Sequence, residues 1–215
     1  MIVVIQCAAS KRADAGFLQT GSGTKVLFVA DPTKAPRTEE YIYARPDDPA
    51  DDGESWRDKL LRYNETHGNP LRLSRAFELY KNDTYRQLVG KFGVERTFIL
   101  SAGWGLIGAA FLTPYYDITF SQAVKKKAPH KFRHQRDRYR DLCQLPKDGD
   151  EPVVFFGGND YVPLFCNLTR SYSGKRVVFY NSTSPPDAPN CLCERFDTRT
   201  RTNWHYECAQ YFLAA

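Results

Sequence analysis

Short β-branched and aromatic runs punctuate this chain and alternate with stretches of helical spacing. MIVVIQC (1–7) has the form of a buried strand. KVLFVA (25–30) predicts a second strand, stopped by Asp31-Pro32. RTFILSA (96–102), PVVFFGG (152–158) and KRVVFYNS (175–182) predict three more. Residues 31–53, proline-punctuated and acidic, read as a loop or lid. From Glu54 the pattern turns helical: Trp56, Leu60, Leu61 and Tyr63 predict one helix, residues 71–80 a second and 84–92 a third. The stretch after the third long strand, GWGLIGAAFLTPYYDITF, reads as a long loop. A basic helix is expected over 121–142, ended by Pro146, then helices over 159–169 and 204–213. Apolar strands separated by helices predict a three-layer α/β/α fold with a mostly parallel central sheet, one domain over residues 1–215.

Composition fits that picture and narrows it. The chain has 215 residues, 42% hydrophobic and 26% charged, enough for one well-buried core and too apolar for disorder. No apolar run approaches the roughly 18 residues that span a bilayer. The charge near the N-terminus follows the apolar run instead of preceding it, the wrong order for a signal peptide. Six scattered cysteines then read as reduced thiols in a cytoplasmic protein. Cys191 and Cys193, with Cys208 and His205 nearby, do not make the paired ligand sets of a zinc site, so no metal is expected.

Charge changes the picture most. The formal net charge is +5, but residues 125–140 (KKKAPHKFRHQRDRYR) hold eight Lys or Arg against one Asp. That is +7 on sixteen residues, leaving −2 for the remainder, and residues 45–58 hold six acids against two bases. A basic element interleaved with His130, Phe132, His134 and Tyr139 suits phosphate contact; the plainer alternative is a solvated helix face.

Ligands of open α/β sheets bind outside the carboxyl ends of the strands. That rule selects Cys7, Ser10 and Lys11 after the first strand, Ser101 and Trp104 after the third, Gly158, Asn159 and Asp160 after the fourth, and Asn181-Ser182 after the fifth. Small residues there let backbone approach a ligand while polar and aromatic groups read it. Each has a structural alternative: Cys7 a buried thiol, Lys11 and Ser10 an exposed loop pair, Trp104 a core aromatic, Asn159 a helix cap. In Pro114-Tyr115-Tyr116-Asp117 a carboxylate follows aromatic rings, an arrangement that can orient water or stabilise a cation, or simply cap a turn.

These residues resemble the YaaA-like group of small α/β proteins. The likeness rests on Cys7-x-x-Ser10-Lys11 closing the first strand. It rests also on a strand ending in Ser101-Ala102-x-x-Gly105-Leu106, with Tyr116-Asp117 a dozen residues on. It covers the N-terminal strand and roughly residues 76–120. The resemblance implies DNA association and a fold similar to uracil-DNA glycosylases and to deazaguanine base-exchange domains. The Gly-Gln-Asp-Pro-Tyr water-activating motif of the uracil enzymes is absent, so roles for Asp117 and Asn159 rest on position alone.

The expectation is a cofactor-free DNA glycosylase that cleaves the N-glycosidic bond of a modified base, with a role in defence against phage whose DNA carries enlarged bases. The base would be flipped into a site formed by Cys7, Ser10, Ser101 and Gly158. Trp104, Tyr115 or Tyr116 would stack on it and Asn159 would read its edge. Asp117 or Asp160 would orient water; Lys11 would hold phosphate or, in a variant mechanism, act as a lyase amine. Lys125, Lys126, Lys127, Lys131, Arg133, Arg136, Arg199, Arg201 and His205 would hold DNA. The competing expectations are a non-enzymatic DNA-binding stress protein and an enzyme of free nucleosides or nucleotides. A monomer suits either role.

Overall fold

Residues 1–198, 200 and 202–214 are described by a computed structural model. In chain order the elements are β1 (Ile2–Gln6), β2 (Leu18–Gln19), β3 (Lys25–Val29), β4 (Tyr41–Ala44), α1 (Trp56–Glu65), β5 (Ser74–Arg75), α2 (Thr84–Phe92), β6 (Thr97–Ser101), β7 (Gly105–Gly108) and β8 (Leu112–Thr113). There follow β9 (Tyr116–Asp117), α3 (Gln122–Lys125), β10 (Leu142–Cys143), β11 (Val153–Phe156), α4 (Val162–Leu168), β12 (Arg176–Tyr180), β13 (Leu192–Arg195) and α5 (Trp204–Ala214).

The main sheet has seven strands in the order β10-β7-β6-β1-β11-β12-β13. The five from β6 to β13 run parallel, while β7 turns back antiparallel on β6 and carries β10 parallel to itself. A mostly parallel sheet must be covered on both faces, and β6 and β11 are buried along their whole length. Successive side chains of β11 show how. Phe155 stacks on Phe165 of α4, with ring centroids 4.7 Å apart, whereas Phe156 packs on Phe212 of α5 at 5.2 Å. Neighbouring residues of a strand point to opposite faces, so α4 and α5 lie on opposite sides of the sheet, α2 beside α5. The fold is the expected α/β arrangement with a mostly parallel central sheet.

KVLFVA does not join that sheet. As β3 it anchors a second, small sheet between β2 and β4, and β9 also pairs with its last two residues. Residues 41–44 therefore form a strand where a loop was expected. The expected helix over 71–80 is also replaced. Ala76 and Phe77 donate their amides to the carbonyls of Phe111 and Ala109, and β5 pairs with β8, so bonds to a distant segment take the place of i→i−4 bonds over residues 74–77. GWGLIG, expected as loop, contains β7. Gly105 has φ +93°, and a Cβ there would lie 2.3 Å from the carbonyl oxygen of Leu142, so only glycine permits β10 this close.

The largest departure is the basic helix. Only α3 is α-helical, followed by a single 3-10 turn at Pro129–Lys131. Pro129 lacks an amide donor and disfavours helical geometry at Ala128. Beyond it the backbone bonds elsewhere: His130 accepts from Ala30 and Asp31, Lys131 accepts from Thr119, and Arg133 donates back to Thr119. Among the described residues no helix is long and apolar enough to cross a membrane.

Candidate functional site

At the carboxyl end of β1, Cys7 continues the ladder by donating its amide to the carbonyl of Leu100. Its buried thiol lies 3.3 Å from the hydroxyl of Tyr161. Gln6, one residue earlier, accepts the amide of Gly158 on its side-chain oxygen at 2.7 Å. The ends of β1, β6 and β11 therefore meet, as the strand-end rule requires.

Below them lies a layer of buried hydroxyls. Ser101, fully buried, donates to the Tyr116 hydroxyl at 2.8 Å and accepts the amides of Gly103 and Trp104. Tyr116 in turn lies 2.8 Å from the hydroxyl of Tyr80, whose ring stacks on Tyr85. Tyr85 donates to the carbonyl of Gln6 at 2.7 Å. Burial drives the phenols of Tyr80, Tyr85, Tyr116 and Tyr161 well above their usual range, so all four are neutral hydrogen-bonding groups at physiological pH.

Lys11 enters this layer from the loop after β1. It is 5% exposed, its Nζ donates to the carbonyl of Ala8 at 3.0 Å, and it lies 4.3 Å from the centroid of the Tyr116 ring. It is not the exposed phosphate-binding lysine that its place in a loop suggested. Ser10 beside it is exposed and accepts the amide of Lys81 through its carbonyl.

Next to this layer Tyr115, just before β9, and Asp117, at its end, line a cleft of about 610 Å³, within the range of small-ligand sites. Pairing with β3 fixes Asp117 opposite Val29. Its carboxylate is half-buried and ion-paired with Lys131 at 2.5 Å. Tyr115, Phe17 and Tyr41 form one wall, Phe17 stacking on both neighbours with centroids 5.6 and 5.9 Å away. Tyr43 continues it edge-on to Tyr41. Sequence reading missed Tyr41 and Tyr43, because residues 31–53 looked like a loop or lid, and Phe17, which lies in the glycine-bearing stretch after the first strand. The available signal was Tyr-x-Tyr, whose period of two puts both rings on one face of a strand.

Several expected site residues lie elsewhere. Trp104 is fully buried, edge-on to Phe28 and Tyr116, and cannot stack on a ligand. Tyr116 is equally inaccessible. Asn159 is exposed and Asp160 half-buried at the end of β11, but neither lines the cleft. Asn159 donates to Ser182 at 3.3 Å, and burial raises the Asp160 carboxyl above its ordinary range. Arg133 is buried and forms a two-pronged ion pair with Asp141 while donating to the carbonyl of Ala102, so it is a structural tie and not a phosphate ligand. His205 is buried in α5, with burial pushing it down to about 4, and presents no cation to DNA. Arg199 and Arg201 lie outside the described residues.

Exposed cations remain on the basic segment: Lys125, Lys126, Lys127, Arg136 and Arg138 are all at the surface and form no ion pair among the described residues. The acidic segment is docked, not free. Asp47 pairs with the fully buried Arg57 at 2.5 Å, and Asp58 pairs with Arg140 at the end of the basic segment. No group of three or more His, Cys, Asp or Glu side chains among the described residues is placed to share a metal ion.

No family model, curated protein or solved structure matches the chain. The likeness to the YaaA-like group accordingly stands on the residues quoted for it.

Proposed function

We propose that the chain is a hydrolase of N-glycosidic bonds in DNA, acting on a modified base. The observation that carries this reading is the aromatic cleft with the Asp117 carboxylate beside Tyr115, next to exposed cations that form no ion pair among the described residues. A base displaced from the duplex stacks on the Tyr115–Phe17–Tyr41 wall, taking the role sequence reading gave to Trp104. Asp117, aimed by its ion pair with Lys131, orients the attacking water and offsets positive charge developing on the sugar. Lys125, Lys126 and Lys127 hold phosphates. A cleft of this volume accommodates a base larger than the common four, which suits a defensive role against phage with modified DNA.

Incubation with DNAs carrying different modified bases, followed by mass spectrometry of the small molecules released, tests the reading. Wild-type protein releases one free base and leaves abasic sites. Asp117→Asn abolishes release while DNA binding stays near wild type; full release by that variant would remove the assigned role. Salt-sensitive binding with no base released from any substrate would favour the non-enzymatic DNA-binding alternative.

A further inference from the structure

A lysine this deeply buried ordinarily meets a carboxylate, because an unpaired ammonium loses its hydration without replacement. Among the described residues Lys11 forms no ion pair. Its one hydrogen bond goes to a neutral carbonyl, and its other neighbours are ring faces, Tyr116 at 4.3 Å, Tyr80 at 5.8 Å and Tyr115 at 6.0 Å from Nζ. Asp117, whose charge reaches Lys11, is committed to Lys131. Burial lowers the amine's pKa and Lys131 adds to this, while Cys7 and Asp117 oppose it. These surroundings ease loss of the proton from the amine, and the free amine is the form in which lysine is a nucleophile. The half-buried Tyr115 ring, its centroid 6.0 Å from Nζ, also lines the cleft with Asp117, so this one side chain stands between the amine and the sugar of a nucleotide seated there.

We propose that Lys11 is the nucleophile of a strand-cleaving step at abasic sites, a further activity of the same cleft. The step rests on the glycosylase reading, since the abasic sugar is that reaction's product. In its open form the sugar carries an aldehyde at C1′. The Lys11 amine adds to that carbon, a C–N bond forms, and water leaves as the protonated imine appears. The imine draws electrons from C2′: a C2′ proton passes to water, the electron pair it leaves forms the C2′–C3′ double bond, and the C3′–O bond breaks with its own pair leaving on the phosphate. Water then hydrolyses the imine, which returns the amine and frees an unsaturated aldehyde on the 3′ end. No oxidant, metal or further reactant is consumed.

The test uses the full chain and a duplex oligonucleotide with one preformed abasic site, so that no base need be recognised. Sodium borohydride reduces an imine to a stable amine and so records the intermediate as a protein–DNA adduct. The expected result is an adduct with wild-type protein, mapped by peptide mass spectrometry to the peptide holding Lys11, together with strand cleavage when borohydride is left out. Lys11→Arg keeps a long basic side chain without a primary amine and loses both adduct and cleavage. Mapping on wild-type protein keeps the test decisive even if Lys11→Arg folds poorly. Absence of an adduct, an adduct on another residue, or an undiminished adduct in folded Lys11→Arg overturns the proposal. Base release without an adduct would overturn this step and leave the glycosylase standing. An adduct on Lys11 without base release from any DNA would support the step and count against the glycosylase.

Discussion

Tyr116 carries two jobs that compete for its side chain. Its hydroxyl joins Ser101 to Tyr80, and its ring face lies against Nζ of Lys11. Tyr116→Phe keeps the ring and removes the bridge, leaving the buried Tyr80 hydroxyl without that partner. An unsatisfied buried hydroxyl costs about 1–3 kcal/mol, so urea denaturation should show a loss in that range with the slope unchanged. A loss well under that range would mean that water takes the place of the bridge. At this scale the sequence was partly legible. Cys7, Lys11, Ser101, Tyr116 and Asp117 were all picked out by the strand-end rule or by the Tyr-Tyr-Asp segment, and all converge on one region. What the letters did not carry was depth. Whether Tyr116 or Asp117 faces the cleft depends on which side of the two-residue strand β9 each occupies, and β9 takes its register from β3, far earlier in the chain.

Elements were legible where local pattern and tertiary role agree. β1, β6, β11 and β12 are apolar runs buried in a parallel sheet, and α1 follows a Ser55 cap that accepts the amide of Asp58. Disagreement came where distant pairing overrides local spacing, at residues 71–80 and across the basic segment. α5 offers a test of its own. His205 in its first turn is 4% exposed, with Nε2 unpartnered among the described residues, and burial alone pushes it from 6.5 down to about 4. The unfolded chain therefore takes up the proton first as pH falls. The stability supplied by the neutral ring is complete above about pH 6.5 and is drawn down as pH falls toward 4. The total loss is about 3 kcal/mol. Unfolding free energies measured between pH 7 and 4 should fall along that window, and His205→Phe should flatten the part due to this residue.

Across the whole molecule the charge is arranged as a docked acidic segment beside a basic one whose exposed part is narrow. Arg140 ties the two together, and Arg133 is spent on Asp141. The +7 of residues 125–140 therefore overstates the surface available to a polyanion. Replacing Lys125, Lys126 and Lys127 by serine should weaken DNA binding uniformly across sequences. It should also flatten the plot of log affinity against log salt by about 0.9 for every phosphate no longer neutralised. Arg133→Met should instead act on folding. An unchanged salt slope in the triple-serine variant would remove those lysines from the interface. Fold class was legible at this scale because alternating strands and helices admit few arrangements. The small sheet was not, since KVLFVA reads the same whether it joins the main sheet or founds another.

The central place of β1 has a consequence for how the chain is made. Its two neighbours, β6 and β11, begin at Thr97 and Val153. At bacterial or eukaryotic translation rates of about 5–20 residues per second, β11 leaves the ribosome roughly 8 to 30 s after β1. During that interval the Ile-Val-Val-Ile run has no strand to pair with on that side and is open to self-association. Folding yield should therefore depend on holdase chaperones and on the pace of synthesis more than the stability of the finished sheet would suggest.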